Sequence, residues 1–379
     1  MTGANWSVPE SEVLAGVRDV LDGDHRGVLA TVVAVEGSAY RRPGAKMVIP
    51  EEGTGSGHIT AGCLEDELQR VAGDVLDAGE SRIERYDLRP DAEEDVWGLG
   101  VGCNGVLDIL LEPIDESHRP MADAVAEGRD VGVVTVLDAA DEALVGERAY
   151  YHPGDGDLVP GAGFPASVTD RVRDIAADLT EQGRADTVEL SETTVFVDGI
   201  AAPDDLVVVG TGNDVDPIVE VGKRAGFVVT VVGFRGATAT TDRFPAADEV
   251  VSTSPARITD AVEFDADTAV VLATHNFVDD RLALDELLAT DTGYVGLLGP
   301  RERFEEMQGE FREEGRTFTE AELDRLYTPV GLDLGGGSPY QIALSIVSEV
   351  LAVRNDREPQ HLKERAGPIH ERVDVTPTD

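Results

Sequence analysis

From Leu206 onward the sequence alternates short apolar runs with amphipathic helical stretches, and this rhythm leaves few folds open. LVVVG at 206–210 leads into a helical pattern through about 225. FVVTVV, AVVLAT at 269–274 and YVGLLG at 294–299 are further β-branched runs, with RLALDELLA between the last two and helices after Arg301. Runs this apolar suit strands buried on both faces, and strands alternating with helices build a parallel, doubly wound sheet. A long helix closes the pattern. Ser338 caps it, Pro339 takes its first position, Gln341 completes a capping box, and Ile342, Ile346, Val347 and Val350 form its apolar face. The fold class is α/β, with a Rossmann-like doubly wound domain in the C-terminal half.

A chain of 379 residues exceeds one ordinary core, so another domain is expected before it. Ser7-Val-Pro-Glu10 reads as a capping box opening a helix with Val13, Leu14, Val17, Val20 and Leu21 on one face. GVLATVVAV at 27–35 predicts a strand buried on both faces, and KMVIP at 46–50 a second strand. Leu64, Leu68, Val71, Val75 and Leu76 mark another helix, and VLDILLEPI after Gly105 another strand. These elements predict an N-terminal α/β domain with a mixed sheet. Between about 119 and 203 the pattern weakens to short strands such as VGVVTVLD and TTVFVDGI, broken by Gly, Pro and Asp clusters around 153–165. The polar run AAPDD at 201–205 marks a boundary. The expected organisation is a first domain over 1–202, with core blocks at 10–115 and a less regular stretch at 119–202. A Rossmann-like domain follows over 203–355, and a polar tail over 356–379.

Charge limits the partners. Asp and Glu number 75 against 31 Lys and Arg, a net charge of -44, and lysine occurs only at 46, 223 and 363. Self-repulsion of this size is offset when salt screens it, which predicts a salt-rich cytoplasm. The acids are spread along the chain and no basic stripe exists for a nucleic-acid backbone. Two cysteines outside any CxxC spacing argue against a disulfide scaffold or a structural zinc. No apolar run is long enough to span a membrane and no signal pattern opens the chain, so a cytoplasmic protein is expected.

Several residues are candidates for chemistry. Gly210 and Gly212 lie in a strand-to-helix turn where backbone can approach a phosphate, although Val215 takes the third glycine position and Gly233 replaces the expected ribose-binding acid. Arg235 would then meet a phosphate instead. Thr274, His275 and Asn276 end a strand that borders the crevice of such a sheet. Arg301 and Arg303 begin a helix and would clamp an anion or pair with Glu302, Glu305 and Glu306. Gly335, Gly336 and Gly337 precede a capped helix as an anion nest or as a flexible connector. In the first half, Arg41, Arg42 and Lys46 concentrate three cations in six residues of an otherwise acidic chain, as a counter-charge for an anionic ligand or for an acidic face. Cys63 starts a helix whose dipole favours the thiolate, with Glu65, Asp66 and Glu67 opposing it; it would ligate metal, carry sulfur or pack as a small hydrophobe. Cys103 lies in the glycine-rich GLGVGCNG, a loop able to wrap a ligand.

Taken together these blocks resemble the XdhC/CoxI family of molybdenum-enzyme maturation proteins. GSAYRRPGAKMVI at 37–49, GHITAGCLEDEL at 57–68 and GLGVGCNGVLDILLEP at 98–113 are similar to the family's N-terminal domain. LVVVGTGNDV, ADEVV, VVLATHN, YVGLLGPRER and TPVGLDLGGGSPYQIALSI are similar, in order, to its Rossmann domain. The sequence departs from the family's pattern at Gly233, where Asp is usual, and at Asn213, where His is usual. The resemblance implies binding of the molybdenum cofactor, a pyranopterin phosphate, and its delivery to a molybdenum hydroxylase apoenzyme of the xanthine dehydrogenase or carbon monoxide dehydrogenase type. It implies no catalysis by this chain. Arg41, Arg42 and Lys46 would then suit the phosphate, and Cys63 and Cys103 the molybdenum and dithiolene end, where soft thiolates fit. A sulfur-transfer protein and a second copy of the chain are further expected partners, and a nucleotide in the Rossmann domain stays open. Two rival readings are an NAD(P)-dependent oxidoreductase built on the Gly210 turn with His275 as acid or base, and a nucleotide-sensing regulatory subunit.

Overall fold

The computed structural model describes residues 8–53, 55–60, 62, 64–89 and 104–366. Two compact units part between Ala202 and Pro203.

The first unit opens with helix α1 (Glu10–Asp22), begun by Pro9, whose carbonyl accepts the Glu12 and Val13 amides. The predicted start at Ser7 lies outside the described residues, and the observed helix begins at Glu10. Strands β1 (Gly27–Ser38), β2 (Lys46–Pro50), β3 (Ser56–Gly57), β4 (Arg82–Asp87) and β5 (Asn104–Pro113) form one sheet in the order β3-β2-β1-β5-β4. All its pairings are antiparallel, not mixed as expected. The apolar run of β1 is nonetheless buried on both sides, which is why it reads like a strand of a parallel sheet. Val28, Ala30 and Val32 pack with helix α2 (Glu65–Ala78) through Leu68, Val71 and Val75. Leu29 turns to the opposite side and joins Val13, Leu14 and Val17 of α1.

The stretch that reads as irregular is a second layer of structure. Helix α3 (Arg119–Ala126) precedes strands β6 (Val131–Ala139), β7 (Arg148–His152) and β8 (Asp157–Pro160), then helix α4 (Ala166–Glu181) and strands β9 (Ala185–Leu190) and β10 (Thr193–Ile200). The five strands pair in the order β8-β7-β6-β10-β9, again antiparallel. Val168, Val172, Ile175 and Leu179 of α4 bury one face. Helix and strand touch so closely that a side-chain carbon on Gly199 would lie 2.2 Å from the Leu179 carbonyl oxygen. The other face meets α1, α3 and the first sheet through Val133, Tyr150 and Ile200. Polar ties cross the same junction: Arg148 pairs with Glu112, both buried, and the Thr187 hydroxyl donates to the Val33 carbonyl at 2.8 Å.

The second unit is a six-stranded parallel sheet. It comprises β11 (Asp205–Val209), α5 (Val215–Ala225), β12 (Val228–Gly233), β13 (Glu249–Ser252), α6 (Ile258–Ala261), β14 (Thr268–Leu272), α7 (Phe277–Leu288), β15 (Tyr294–Leu297), α8 (Arg301–Glu313), α9 (Glu320–Asp324), β16 (Leu326–Tyr327) and α10 (Pro339–Arg354). The order β13-β12-β11-β14-β15-β16 starts in the middle, runs to one edge and then returns to run to the other. This is the doubly wound arrangement, whose switch point lies between β11 and β14. Helices α5 and α10 cover one face and α7 and α8 the other. The Ser338–Gln341 capping box of α10 forms as the sequence predicts. Its buried face uses Ala343 with Ile346, Val347 and Val350, while Ile342 turns outward.

Candidate functional site

In the first unit Arg41 and Arg42 sit on the turn between β1 and β2, and Lys46 opens β2. The Gly44 amide donates to the Val32 carbonyl at 2.9 Å and the Ala45 amide to the Arg42 carbonyl at 3.2 Å. Gly44 has φ +93°, and a side-chain carbon there would approach Asp198 Oδ1 to 3.1 Å and the Ala185 methyl carbon to 3.2 Å. Glycine thus lets the loop lie against the start of the second sheet. Arg41 and Arg42 have no carboxylate partner among the described residues. Burial and then the guanidiniums of Arg184 and Arg41 push Arg42 below its usual pKa, so its charged neighbours are themselves cations. Tyr40 precedes them with 58% of its surface exposed, its ring 5.9 Å from that of His58.

Lys46 corrects the expectation of a third phosphate-binding cation. Its side chain is 2% exposed and its ammonium lies between Glu10 and Asp198, 2.7 Å from the latter. Burial disfavours its charge, but the two carboxylates raise its pKa overall. Alternation explains the placement. Lys46 pairs with Thr31 in the β1–β2 ladder, and that face of the sheet turns inward. A lysine on a half-buried strand was readable as either a ligand or a buried ion pair, and only the position of Asp198, 152 residues further on in sequence, decides it.

Cys63 and Cys103 lie outside the described residues. Among the described residues no group of three or more His, Cys, Asp or Glu side chains is placed to hold a metal ion. Glu65, whose sequence position suggested only an effect on the helix dipole, binds Thr60 and Leu64 instead. Glu65 is buried, and its carboxylate accepts the Thr60 amide at 3.1 Å, the Thr60 hydroxyl at 2.8 Å and the Leu64 amide at 3.0 Å. It ties Thr60 and Leu64 to the first turn of α2.

In the second unit, the Gly210 turn and the Thr274–Asn276 turn meet at the switch point, as the strand pattern predicts. Gly210 has φ +149°, and a side-chain carbon there would stand 2.3 Å from the Ala273 carbonyl oxygen. Contact with the neighbouring strand alone therefore demands glycine. His275 adopts φ +59°, a left-handed conformation uncommon for residues other than glycine, though histidine is among those that tolerate it. Its Nε2 lies 2.7 Å from Asp214 Oδ2. A side-chain carbon on Gly212 would come within 3.6 Å of the His275 ring. Asp214, which the sequence did not single out, thus supplies His275 with its partner and sets a carboxylate just before α5, where a bound phosphate would otherwise meet the helix dipole.

The other polar groups of this crevice are likewise engaged. The Thr274 hydroxyl donates to Asp280 Oδ1 at 2.5 Å, and Arg303 donates to the other oxygen of that buried carboxylate at 2.5 Å. Arg303 thus meets neither of its expected partners, and its guanidinium also lies over the Phe277 ring. Arg235 pairs with Asp279 at 2.6 Å. At Gly233 a side-chain carbon would lie 2.5 Å from that of Ala239 and 2.8 Å from the Thr211 methyl, so the place of a ribose-binding acid is filled. Arg301 is exposed at the first position of α8 with no carboxylate partner among the described residues. The Gly335–Gly337 nest is used internally, since the Gly337 and Ser338 amides both donate to Gln341 Oε1. A cleft of about 580 Å³ opens beside α5, but its cation Arg243 is neutralised by Asp216 at 3.2 Å.

Residues 20–87 match the XdhC and CoxI family, and residues 206–350 match the XdhC Rossmann domain. The chain belongs to the XdhC and CoxI family. The first match spans β1, the Arg41–Arg42 loop and α2, and the second runs from β11 into α10. Over 347 residues the chain is 29% identical to a Bacillus subtilis protein named as a probable xanthine dehydrogenase subunit, covering 88% of this chain and 95% of that protein. It is 23% identical over 364 residues to the molybdenum cofactor insertion chaperone PaoD of Escherichia coli, covering 93% and 94% of the two chains. A crystal structure described as a xanthine dehydrogenase from Bacillus halodurans aligns with TM-score 0.75 and 28% identity, over 93% of this chain and 97% of that one. No described helix is long and apolar enough to cross a membrane.

Proposed function

We propose that this protein holds the molybdenum cofactor and delivers it to a molybdenum hydroxylase apoenzyme in the cytoplasm. The observation that carries this reading is the Arg41–Arg42 pair. In a chain of net charge -44, whose arginines mostly meet carboxylates, these two have none among the described residues. Such a place favours a phosphate. Arg41 and Arg42 would hold the phosphate of the pyranopterin, and Cys63 and Cys103 would face its dithiolene end. The bound group would supply the redox chemistry of the client enzyme, while this chain binds, shields and releases it. The names carried by the xanthine dehydrogenase-type and PaoD relatives support the same role. A sulfur-transfer protein acting at Cys63 and a homodimer belong to this reading.

The rival reading, an NAD(P)-dependent oxidoreductase, has less support. The His275–Asp214 pair offers an acid or base, but Gly233 leaves no room for a ribose-binding acid and Arg235 is held by Asp279. Gly210, Gly212, Thr274 and His275 then act chiefly as scaffold, and Arg301 remains the cation on this edge for an anionic group.

Reconstitution tests the proposal. Cofactor-loaded protein mixed with apo-hydroxylase should activate it in proportion to the chain added, and the Arg41→Ala, Arg42→Ala double variant should not. Equal activation by free cofactor without the chain would refute the carrier role.

A further inference from the structure

Helix α10 carries more apolar surface than its own unit covers. Ala343, Ile346, Val347 and Val350 bury one face against the sheet and α5. Only Glu349 and Arg354 are charged in this helix, and the fold uses both internally. Glu349 accepts the Tyr294 hydroxyl at 2.6 Å and the Gly331 amide at 2.8 Å. Arg354 donates to the Ala266 carbonyl at 2.7 Å and pairs with Asp204 and Asp267. On the outward side stand Tyr340 and Leu344, one turn apart and 51% and 50% exposed, with Leu334 of the preceding loop 57% exposed. Ser348 and Leu351 continue that side, half-buried. A helix apolar on nearly every side is one that packs on more than one side.

Charge selects what covers this face. The run from Leu334 to Ser348 is the longest in the chain without Asp, Glu, Lys or Arg, although 28% of all residues are charged and the net charge is -44. Two copies of so acidic a chain repel over most of their surfaces, and a two-fold contact brings the same patch of both copies together. The uncharged face is where that repulsion is smallest. At its rim, α5 sets Glu220 and Arg224 one turn apart. Glu220 accepts the Tyr340 hydroxyl at 2.6 Å, whereas Arg224 is exposed with no carboxylate partner among the described residues. A rim that carries one acid and one unpaired base pairs reciprocally with itself across a two-fold axis. Shape points the same way: the cleft of about 580 Å³ beside α5 is lined in part by Pro217, Pro245, Pro339 and Tyr340, a hollow apolar wall next to the protruding Leu344.

We propose that the α10 face is the contact between two copies of this chain, packed about a two-fold axis with Tyr340 and Leu344 at its centre and Glu220 of each copy meeting Arg224 of the other at its rim. This names the surface that makes the homodimer of the carrier reading, and it rests on that reading only for what the pair does. The contact itself needs no bound cofactor.

The test is sedimentation of the full-length protein in molar KCl, where long-range repulsion is screened. Wild type should sediment as a dimer. Leu344→Glu sets like charges against each other near the axis and should raise the dimer Kd by about a hundredfold or more, giving a monomer with unchanged melting temperature. Val278→Glu makes the same charge change at an exposed residue of α7, on the other face of the sheet, and should leave the dimer intact. Glu220→Arg and Arg224→Glu should each shift the equilibrium toward monomer, and the double variant should restore the dimer. Because both rim side chains are exposed, this exchange tests the contact even if Leu344→Glu folds poorly. A wild type that is monomeric throughout, or a dimer that Leu344→Glu leaves intact, would overturn the proposal. So would a monomeric wild type whose Leu344→Glu variant no longer activates apo-hydroxylase, since the face would then meet the client enzyme instead. A monomeric Leu344→Glu that keeps its molybdenum cofactor supports the contact and leaves the carrier reading standing. A wild type that dimerises through this face yet never holds the cofactor keeps the contact and removes the carrier reading.

Discussion

The Lys46 ammonium lies 2.7 Å from the Asp198 carboxylate, and this buried contact joins the first strand pair of the chain to the last strand of the second antiparallel sheet. Removing one partner of a buried pair leaves a charge without compensation, which costs about 3–5 kcal/mol. Lys46→Met should therefore destabilise the first unit by that order in denaturant melts. Burial raises Asp198 to about 6 even with Lys46 opposing it. Between about 4, its unfolded value, and about 6 the folded state binds the extra proton, so this group's contribution to stability falls as pH rises through that window. Without Lys46 the window extends upward. The deficit of Lys46→Met should be largest above neutral pH and narrow as pH falls toward about 5. A loss under about 1 kcal/mol, the level of an exposed ion pair, would contradict the assignment.

Gly210→Ala separates scaffold from ligand contact at the Rossmann turn. Its added carbon would stand 2.3 Å from the Ala273 carbonyl oxygen at a backbone conformation that L residues avoid. Destabilisation of at least about 2 kcal/mol is expected, read as a lowered midpoint of unfolding. A variant of wild-type stability that lost only nucleotide affinity would return this glycine to a ligand-binding role.

Glu322 gives an acid-range signature in the second unit. It accepts the Thr319 amide at 2.7 Å in a capping box and pairs with Arg316, and that pairing, ahead of the Thr319 bonds, holds it down at about 2. A carboxyl depressed in the folded state contributes stability above its unfolded value near 4.3, lost as pH falls through the folded value. Glu322→Gln should cost about 1 kcal/mol at neutral pH, and the gap to wild type should narrow as pH drops from about 4 toward about 2. A gap independent of pH would show that the charge contributes nothing.

The parallel sheet was legible because its strands and helices differ in apolar period, and the α10 cap because Ser338, Pro339 and Gln341 each had one physical use. The 119–202 stretch hid a whole antiparallel sheet. Val168, Val172, Ile175 and Leu179 of α4 already stood at helical spacing, but the Gly and Pro cluster before them drew the reading toward short strands. Mixed and antiparallel sheets could not be told apart in the first unit, since β1 is covered on both faces and hides the usual alternation. Among site residues, Arg41 and Arg42 were visible as local charge. Lys46 and Asp214 take their meaning from partners 30 or more residues away, Asp198 and His275, which no local pattern reports.

The most direct test of cofactor carriage is to produce the protein with the cofactor pathway, purify it anaerobically in molar KCl, and assay one sample for molybdenum and for oxidised-pterin fluorescence. Near-stoichiometric molybdenum and pterin, both lost in the Arg41→Ala, Arg42→Ala variant, is the predicted result. Protein free of pterin and molybdenum that instead retains NAD(P) would contradict the account and favour the oxidoreductase.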